Sequence, residues 1–553
     1  MEFNLIEKQW IPVLRRDGTP DWIAPYEVTK DFAANPVVSL NAPRPDFNGA
    51  LIQFLIGLVQ TVAAPQSALE WRKKLADPPT PEELLEKFAT VRHAFELGGD
   101  GPRFMQDFSK LTVDLGDIDG LLIDMPGEST TKKNTDHFVK RSTVVGMCPS
   151  CTAMALFTMQ TNAPAGGQGN RTSLRGGGPL TTIIAGDMNH ATLWQLIWLN
   201  VLEANAFSNI CGNASLATDS SRFPWMAATK TSENEEGVSL PNDFHPSVMY
   251  WGMPRRIKLS LEDVSAGKCD TCGASSEELI HKYQQKNFGM NFTGAWLHPL
   301  SPYNASNGSE PIPAHPQPGG VTYRHWLGLI QLDSSDNKMP ARVVHDFIHH
   351  RQKDGWQFRL WAFGYDMKNM NARCWYESLM PLLYIDSSLR PAYENIVAGM
   401  IKAAVIVGEN LRIALKNSIH GKVIIDPITR KVKWEYRDIK KLSTDEDKRR
   451  AKVLYETRED TALISVESNF WQNTEPQFYE LLSDITRCYA ENNDTLTYLK
   501  EWHNSLCNES QRLFDVYSWE IAIEDSDPKR IVIARSEMQK YNHSNDVRKL
   551  LNL

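Results

Sequence analysis

The sequence predicts an α+β protein built from two regions that differ in composition and in hydrophobic periodicity. Residues 1–385 mix short β-like runs with helical patterns and with long loops rich in Gly, Asn, Ser and Pro. From residue 386 onward Pro and Gly become rare, and apolar residues recur at helical spacing. Two Cys-x-x-Cys pairs in the first region add a candidate metal site. We therefore expect a mixed α+β domain at 1–385, followed by a helical bundle at 386–553.

Local sequence signals predict where the principal helices and strands lie. An apolar helical pattern covers 47–62 after a Pro-rich start, and Pro81 with acidic residues behind it begins a second helix. Short β-like runs lie at 181–185 and 256–261. In the second region helical periodicity recurs, with a hairpin predicted at 422–436; the helical stretches are 392–418, 445–466, 477–491, 495–513 and 527–551. Their apolar stripes need partners, so a bundle of about four helices is expected.

The cysteine pairs are Cys148-Pro-Ser-Cys151 and Cys269-Asp-Thr-Cys272, with 117 residues between them. Each pair lets two thiolates reach one ion from a tight turn, and four sulfurs complete a tetrahedral zinc site. Because such a site has no open position for water or substrate, we predict a structural zinc that joins two distant parts of one domain. Two unrelated turns or a redox pair are the alternatives.

The composition limits which classes of protein the chain can belong to. The chain has 553 residues, 42% of them apolar and 23% charged, which is typical of a globular protein. Its net charge of −8 differs from that of most free-standing nucleic-acid binders, so DNA contact would need local basic patches, as at 130–142 and 430–452. The start shows no secretory signal pattern, and the other cysteines show no disulfide spacing, so we expect a cytoplasmic protein.

Two loops are candidates for ligand contact. The glycine-rich segment 164–171 lets the backbone approach a ligand closely, but it lacks the Gly-Lys-Ser/Thr of a phosphate-binding Walker loop. The glycines at 176–178 also let the backbone approach a ligand closely, and they too lack this Walker ending. The stretch 361–377 joins an aromatic strand to a polar tip and back, and such a tip can wedge between bases. A flexible turn and an ordinary packed hairpin are the alternatives.

Catalytic signatures are sparse for this length. His345 and His349 have metal-ligand spacing, but no Glu follows the first and no third ligand is evident. We therefore predict that the chain is not an enzyme. The rival functions are a zinc-dependent nucleic-acid hydrolase, which needs an open metal position, and a scaffold protein without direct DNA contact.

A set of motifs in fixed order runs through nearly the whole chain. It comprises Trp10-Ile-Pro-Val, Cys148-x-x-Cys151-Thr-Ala-Met-Ala-Leu-Phe157, Asn162-Ala-Pro164, Leu174-Arg-Gly-Gly, Gly267-Lys-Cys-x-x-Cys-Gly273 and Gly294-Ala-Trp-Leu-His-Pro-Leu-Ser-Pro302. With these motifs the sequence resembles the CasA family, the large subunit of the type I-E CRISPR surveillance complex Cascade.

The resemblance implies an N-terminal domain of unusual α+β fold, a zinc ion held by the four cysteines and a C-terminal four-helix bundle. It also implies an antiviral role beside a CRISPR RNA and the other Cascade subunits. The guide RNA reads the target by base pairing. The large subunit recognises the short flanking PAM in double-stranded DNA through the minor groove, starts duplex opening for R-loop formation, and helps recruit a separate helicase–nuclease.

The resemblance also assigns site residues. The PAM-reading set consists of three elements. The glycine loop falls at Ala165, Gly166, Gly167, Gln168 and Gly169, and the lysine finger falls at Lys286 and Asn287. The wedge that splits the first base pair falls at Lys368, Asn369, Met370 and Asn371. A further loop, expected to contact the guide RNA and DNA by stacking and phosphate attraction, contains Lys132, Lys133, Phe138, Lys140 and Arg141.

The chain departs from the family pattern in each PAM-reading element. Ala165 and Gln168 stand where the family has glycines. The lysine finger aligns with Asn287, so that Lys286, one residue earlier, is the alternative bearer of the role. The wedge has no glutamine, and Asn371 keeps the amide while Met370 offers an apolar wedge. Because the minor groove presents few distinguishing groups, we expect relaxed PAM choice.

Overall fold

The computed structural model describes most of the chain, namely residues 1–125, 143–186, 191–234, 237–305, 308–331, 337–353, 357–368, 371–429, 431–436, 458–491, 493–521 and 528–553. The chain divides into two compact units. Unit 1 comprises Met1–Gln317 and Gly328–Leu382, and unit 2 comprises Pro318–Leu327 and Leu383–Leu553. Unit 2 therefore includes ten residues that precede the last part of unit 1 in sequence.

The three longest helices of the described residues all lie in unit 2. Up to residue 346 they are α1 Pro45–Val62, α2 Ala68–Ala76, α3 Pro81–Ala89, α4 Pro149–Asn162, α5 Leu193–Trp198, α6 Ala204–Ser208, α7 Asp219–Arg222, α8 Val248–Trp251, α9 Trp326–Ile330 and α10 Arg342–Asp346. Beyond it they are α11 Arg390–His420, α12 Arg458–Ala490, α13 Leu496–Ile521, α14 Pro528–Asn542 and α15 Asn545–Leu550. No helix within the described ranges is both long enough and apolar enough to cross a membrane.

The strands form small sheets instead of one large one. They are β1 Ile11–Arg15, β2 Pro20–Ile23, β3 Val37–Leu40, β4 Gly116–Asp117, β5 Thr181–Ala185, β6 Val238–Ser239, β7 Arg256–Ser260, β8 Ser265–Lys268, β9 Ser275–Leu279, β10 Lys282–Lys286, β11 Asn291–Phe292, β12 Tyr303–Asn304, β13 Ile312–Pro313, β14 Lys338–Met339, β15 Phe358–Lys368, β16 Asn371–Leu382, β17 Gly421–Ile425 and β18 Val432–Tyr436.

Aromatic rings surround α1 in the core of unit 1. The helix starts at Pro45, whose fixed φ suits a first helical turn, and its apolar run is buried on nearly every side. Phe54 lies at the centre and makes edge-on contacts with five rings at centroid distances of 5.2–5.9 Å, those of Trp10, Phe95, Phe104, Phe157 and Trp251. Edge-to-face pairs of this kind add to the burial of apolar surface, so α1 anchors the elements around it.

Two small sheets position the loops of interest. The sheet β16–β15–β5 is antiparallel, and β15 continues well beyond β5 as a long hairpin with β16. The sheet β4–β10–β7 is also antiparallel and pairs Lys286 with Arg256. The glycine-rich segment connects α4 to β5, so it runs from the first cysteine pair to the sheet that carries the hairpin.

Unit 2 is helical, which confirms the predicted helical C-terminal region. Helix α11 packs against α12, α13 and α14, and β17 pairs with β18 as the predicted hairpin between α11 and α12. Tyr323 stacks on Phe478 with centroids 4.4 Å apart and shares a 2.9 Å hydrogen bond with Thr474. These contacts explain why the segment 318–327 belongs to the helical unit.

One helix differs from expectation. The sequence predicted separate helices at 445–466 and 477–491, but α12 runs unbroken from Arg458 to Ala490 with Pro476 inside it. Proline removes one backbone donor and usually kinks a helix. Here Phe470 and Phe478, on either side of Pro476, are both buried, and this packing outweighs the local preference. Residues 445–457 lie outside the described part of the chain.

Candidate metal centre and nucleic-acid interface

The four cysteines of the two Cys-x-x-Cys pairs meet in unit 1. Cys148 caps the N-terminus of α4, and Cys151 lies in its first turn. Cys269 and Cys272 lie in the turn between β8 and β9, where Gly273 has a φ of +74°. One oxygen of Asp270 accepts hydrogen bonds of 2.8 Å from the backbone N–H groups of residues 145 and 146, which ties this turn to the start of α4.

The sulfurs have the spacing of a tetrahedral metal site. All four Sγ atoms lie within 4.8 Å of one another, and those of Cys148 and Cys272 are 3.8 Å apart. Four sulfurs at the usual bond length around one zinc ion would be about 3.8 Å apart. The backbone N–H of Cys148 also donates to the sulfur of Cys269 at 3.3 Å, and such bonds orient the ligands of a metal site. The set can therefore hold a metal ion.

The thiols alter one another's ionisation. Contact with the sulfur of Cys148, then with Cys269 and Cys272, and burial raise the pKa of Cys151 above its usual range. Hydrogen bonds from Cys148 and Cys151 lower the pKa of Cys269 instead. Neighbouring thiols can thus stabilise thiolates among them, but four thiolates at this distance, three of them buried, need a cation between them.

The glycine loop Ala165–Gly169 is shaped by positive φ angles. Gly167 has a φ of +68° and Gly169 a φ of +77°, which favour glycine. A Cβ at Gly169 would lie 2.9 Å from the ring of Phe288, whereas at Gly167 the nearest atom is 3.3 Å away. Ala165 and Gln168, where the resemblance implies glycines, have negative φ and cause no backbone strain. Ala165, Gly167 and Gln168 are exposed.

A buried arginine holds both ends of this loop. Arg255, which is 5% exposed, donates from its guanidinium to the carbonyl of Pro164 and to the side-chain oxygen of Asn170. Burial lowers the pKa of Arg255 to about 10. Because hydrogen bonds to a charged donor are stronger than neutral ones, this clamp gives the exposed backbone between its ends a defined path.

The segment after β10 contacts the loop directly. The amide of Asn287 donates to the carbonyl of Gln168 at 2.7 Å, and the backbone N–H of Phe288 donates to the carbonyl of Gly169 at 2.8 Å. Asn287 is exposed and Lys286 is half-buried. The structure therefore brings two of the three predicted PAM-reading elements together, and it uses the amide of Asn287 to support the loop.

The third element is the end of the β15–β16 hairpin. Pairing continues to Lys368 opposite Asn371, with an irregularity after Asp366, while Asn369 and Met370 lie outside the described residues. The hairpin stem is fixed by a 2.7 Å hydrogen bond from the Tyr365 hydroxyl to Asp46. Burial, and then the nearby Asp46 carboxylate, raise the pKa of Tyr365, which keeps this donor protonated. Asn371 is exposed.

Two glycines lie between the glycine loop and the hairpin. A Cβ at Gly177 would lie 3.1 Å from the carbonyl of Ala163 and 3.2 Å from the N atom of Ala165. A Cβ at Gly178 would lie 2.8 Å from the carbonyl of Tyr365 and 2.9 Å from the side chain of Met367. Protein atoms occupy the space beside both glycines, which allows the loop and the hairpin to pack closely, while contact of these glycines with a ligand stays a prediction.

A family model matches almost the whole chain. The model described as CRISPR-associated protein Cse1 covers residues 4–513. The chain belongs to the Cse1 family, which is also called CasA. This confirms the resemblance drawn from the ordered motifs.

Solved Cse1 structures share the fold along the full chain. A CasA structure from Thermus thermophilus is 14% identical with a TM-score of 0.67, and the match covers 100% of both chains. The Thermobifida fusca Cse1 structure is 15% identical with a TM-score of 0.67, covering 100% of this chain and 98% of that one. A chain of a solved "CRISPR RNA-guided surveillance complex" is 13% identical with a TM-score of 0.66, covering 98% and 100% respectively. At these identities the likeness supports the fold.

Sequence reasoning missed two arginines of this Cse1 chain. Arg255 belongs to no motif, although the pair Arg255-Arg256 at the start of the β-like run 256–261 was a signal that could have indicated it. Arg175, within the quoted Leu-Arg-Gly-Gly motif, is 3% exposed and donates to Gln53, Thr181 and Ser301 at 2.6–3.1 Å. It therefore ties the segment after the glycine loop to α1 and β5.

The loop predicted to contact the guide RNA and DNA lies outside the residues that the structure describes. Its residues Lys132, Lys133, Phe138, Lys140 and Arg141 all lie within 126–142, outside the described part of the chain. Most of the basic segment 430–452 lies outside it as well.

Proposed function

We propose that this Cse1 chain is the large subunit of an RNA-guided antiviral surveillance complex in the cytoplasm and recognises the PAM in double-stranded DNA. Its partners are the other Cascade subunits, a CRISPR RNA, duplex DNA and a helicase–nuclease that it helps recruit. Family membership supports the complex, and the likeness to a chain of an RNA-guided surveillance complex supports the guide RNA. Its own role is binding and duplex opening, with catalysis of DNA cleavage left to the nuclease.

The proposal assigns a structural zinc ion to Cys148, Cys151, Cys269 and Cys272. Four thiolates complete a tetrahedral coordination shell and leave no position for a reactive water. The ion would fix the start of α4, and the glycine loop follows directly from the end of that helix. We further propose that α11, α12, α13 and α14 correspond to the four-helix bundle of the family, and that residues 1–385 and 386–553 form its two functional domains.

Minor-groove recognition needs backbone that can approach the bases closely. The loop Ala165–Gly169 presents exposed peptide groups, since the conformations at Gly167 and Gly169 exclude most larger residues. The observation that carries the proposal is the contact between this loop and Asn287, because it combines exposed backbone with the neighbouring cation of Lys286. In this arrangement Asn287 supports the loop and Lys286 supplies the charge that attracts DNA.

The hairpin end supplies the wedge in this proposal. Residues Lys368, Asn369, Met370 and Asn371 enter the stack beside the PAM, which costs a few kcal/mol for each unstacked step. Pairing with the guide RNA then captures the freed strand in a nearly balanced exchange of duplexes, which forms the R-loop. The segment with Lys132, Lys133, Phe138, Lys140 and Arg141 is proposed to contact the guide and DNA by stacking and phosphate attraction.

A charge reversal at Lys286 tests this assignment. We expect Lys286→Glu to weaken binding of a PAM-bearing duplex by the assembled complex roughly 10-fold. The fall of log affinity with log salt concentration should also become less steep, by about 1 in the slope. The physical reason is the loss of one phosphate contact and its replacement by a repulsive charge. Fluorescence anisotropy at several salt concentrations measures both quantities.

Lys282→Glu is the matched control. Lys282 lies on the same strand, and its ammonium group pairs with Asp117 at 2.5 Å. The control changes the net charge by the same amount at a position that we do not place at the DNA. Equal losses in the two variants would show a general charge effect and would count against Lys286 as a DNA contact.

A further inference from the structure

Helices α13 and α14 bring together a second group of metal-ligand side chains, in unit 2. His503 and Cys507 lie on α13 four residues apart, which places them on one helix face. His543 directly follows α14, and its backbone N–H donates to the carbonyl of Gln539. One ligand atom from each of the three side chains lies within 4.8 Å of the others.

The local geometry favours a shared ion. The sulfur of Cys507 lies 3.6 Å from Nε2 of His503, and the rings of His503 and His543 are 5.1 Å apart at an angle of 72°. His503 is buried, Cys507 is half-buried and His543 is exposed. The ligand set therefore extends from the helix interface to the surface, so an ion can enter from solvent.

A polar cavity of about 320 Å³ adjoins these side chains. Its lining includes Cys507 and His543, and the other lining residues are all amides: Asn504, Asn508, Gln511, Gln539 and Asn542. An amide-lined cavity of this size has room and hydrogen-bond partners for water, which can complete the coordination of an ion bound by three protein ligands.

The surrounding contacts hold the two helices in register. Asn542 donates to the hydroxyl of Ser510 at 2.9 Å, and Gln539 donates to Gln511 at 2.7 Å. Arg535 forms a two-pronged ion pair with Asp515 at 2.6 and 2.8 Å. These bonds fix the distance between α13 and the end of α14, so the two segments that carry the three ligand side chains are held in register before any ion binds.

We propose that His503, Cys507 and His543 form a second binding site for a borderline-soft divalent metal ion such as Zn²⁺, with water from the cavity as the fourth ligand. Two imidazoles and one thiolate suit such an ion, and the open position distinguishes this site from the four-cysteine centre. Binding requires Nε2 of His503 to exchange its 2.9 Å hydrogen bond to the carbonyl of Asn542 for the metal. The ion then cross-links α13 to the segment after α14. This inference is independent of the proposed role in PAM recognition.

The test is the metal content of the purified full chain after equilibration with Co²⁺. Mass spectrometry should find one equivalent more in the wild type than in Cys507→Ser, and thiolate-to-cobalt absorption should be weaker in the variant. His543→Ala, at an exposed position, should lower the affinity of this equivalent at least about 10-fold while the circular dichroism spectrum stays unchanged.

Cys488→Ser is the matched control, because Cys488 is also half-buried in unit 2 and contacts Tyr498 instead of histidine. It should keep the full metal content. The difference in equivalents does not depend on how completely the four-cysteine centre is loaded. Equal metal content in the wild type, Cys507→Ser and His543→Ala would overturn the proposal.

Discussion

Replacing Gly167 with aspartate is expected to reduce binding of PAM-bearing duplex DNA by on the order of 100-fold, or about 2.7 kcal/mol. Gly167 is exposed, and its φ of +68° is one that aspartate and asparagine adopt more readily than other side chains. The protein should therefore fold, while the new carboxylate lies where the loop would meet a polyanion. Electrophoretic mobility or anisotropy assays on the reconstituted complex measure the change.

A second variant, Gly167→Asn, separates the effect of the new charge on DNA binding from the effect of the larger side chain. Asparagine has nearly the same shape and the same tolerance of positive φ as aspartate, but no charge. We expect an intermediate loss, because its side chain still separates the loop backbone from the groove. Both variants should assemble with the guide RNA as the wild type does. Unchanged DNA binding by Gly167→Asp in a normally assembled complex would remove the glycine loop from the DNA interface.

Removing one sulfur of the four-cysteine centre is expected to destabilise the folded chain by about 3 kcal/mol or more. Cys151→Ser is the sharpest choice, since Cys151 is fully buried in the first turn of α4. The variant loses a metal ligand, and the remaining thiols can no longer complete a tetrahedral site. Thermal unfolding with parallel metal analysis should show a lower midpoint and the loss of tightly bound zinc.

Cys211→Ser provides the control within the same unit. Cys211 is half-buried, and its thiol contacts the sulfur of Met249 instead of another cysteine. Cys211 belongs to neither group of metal-ligand side chains found among the described residues, and burial raises the pKa of its thiol. We expect a small change in midpoint and full zinc content. If Cys151→Ser retained both zinc and stability, a structural role for the ion would be wrong.

The cysteine cluster was predictable because its signal is local and chemically specific. Each pair needs only a tight turn to present two sulfurs, so Cys148 and Cys269 could be assigned to one site without knowledge of the path between them. The helical region after residue 386 was predictable for a similar reason, since long amphipathic periodicity is hard to imitate. The continuous helix through Pro476 was not, because tertiary burial there overrides a local preference.

The arrangement around the glycine loop could not be derived from the sequence. The contact from Asn287 to Gln168 depends on the register that pairs β10 with β7. Arg255 contributes through its burial beside the loop, and burial of a single arginine leaves no periodic signal. Likewise, His503 and Cys507 show helical spacing, but His543 joins them only through the packing of α13 against α14.

Base analogues in the PAM test the central claim most directly. Replacing guanine with inosine removes only the amino group in the minor groove, whereas 7-deazapurines alter only the major-groove edge. With the assembled complex we expect affinity and R-loop formation to respond to the minor-groove changes, and the Gly167→Asp complex to lose that response. Affinity that follows the 7-deaza substitutions and ignores the amino group would contradict PAM reading by the glycine loop.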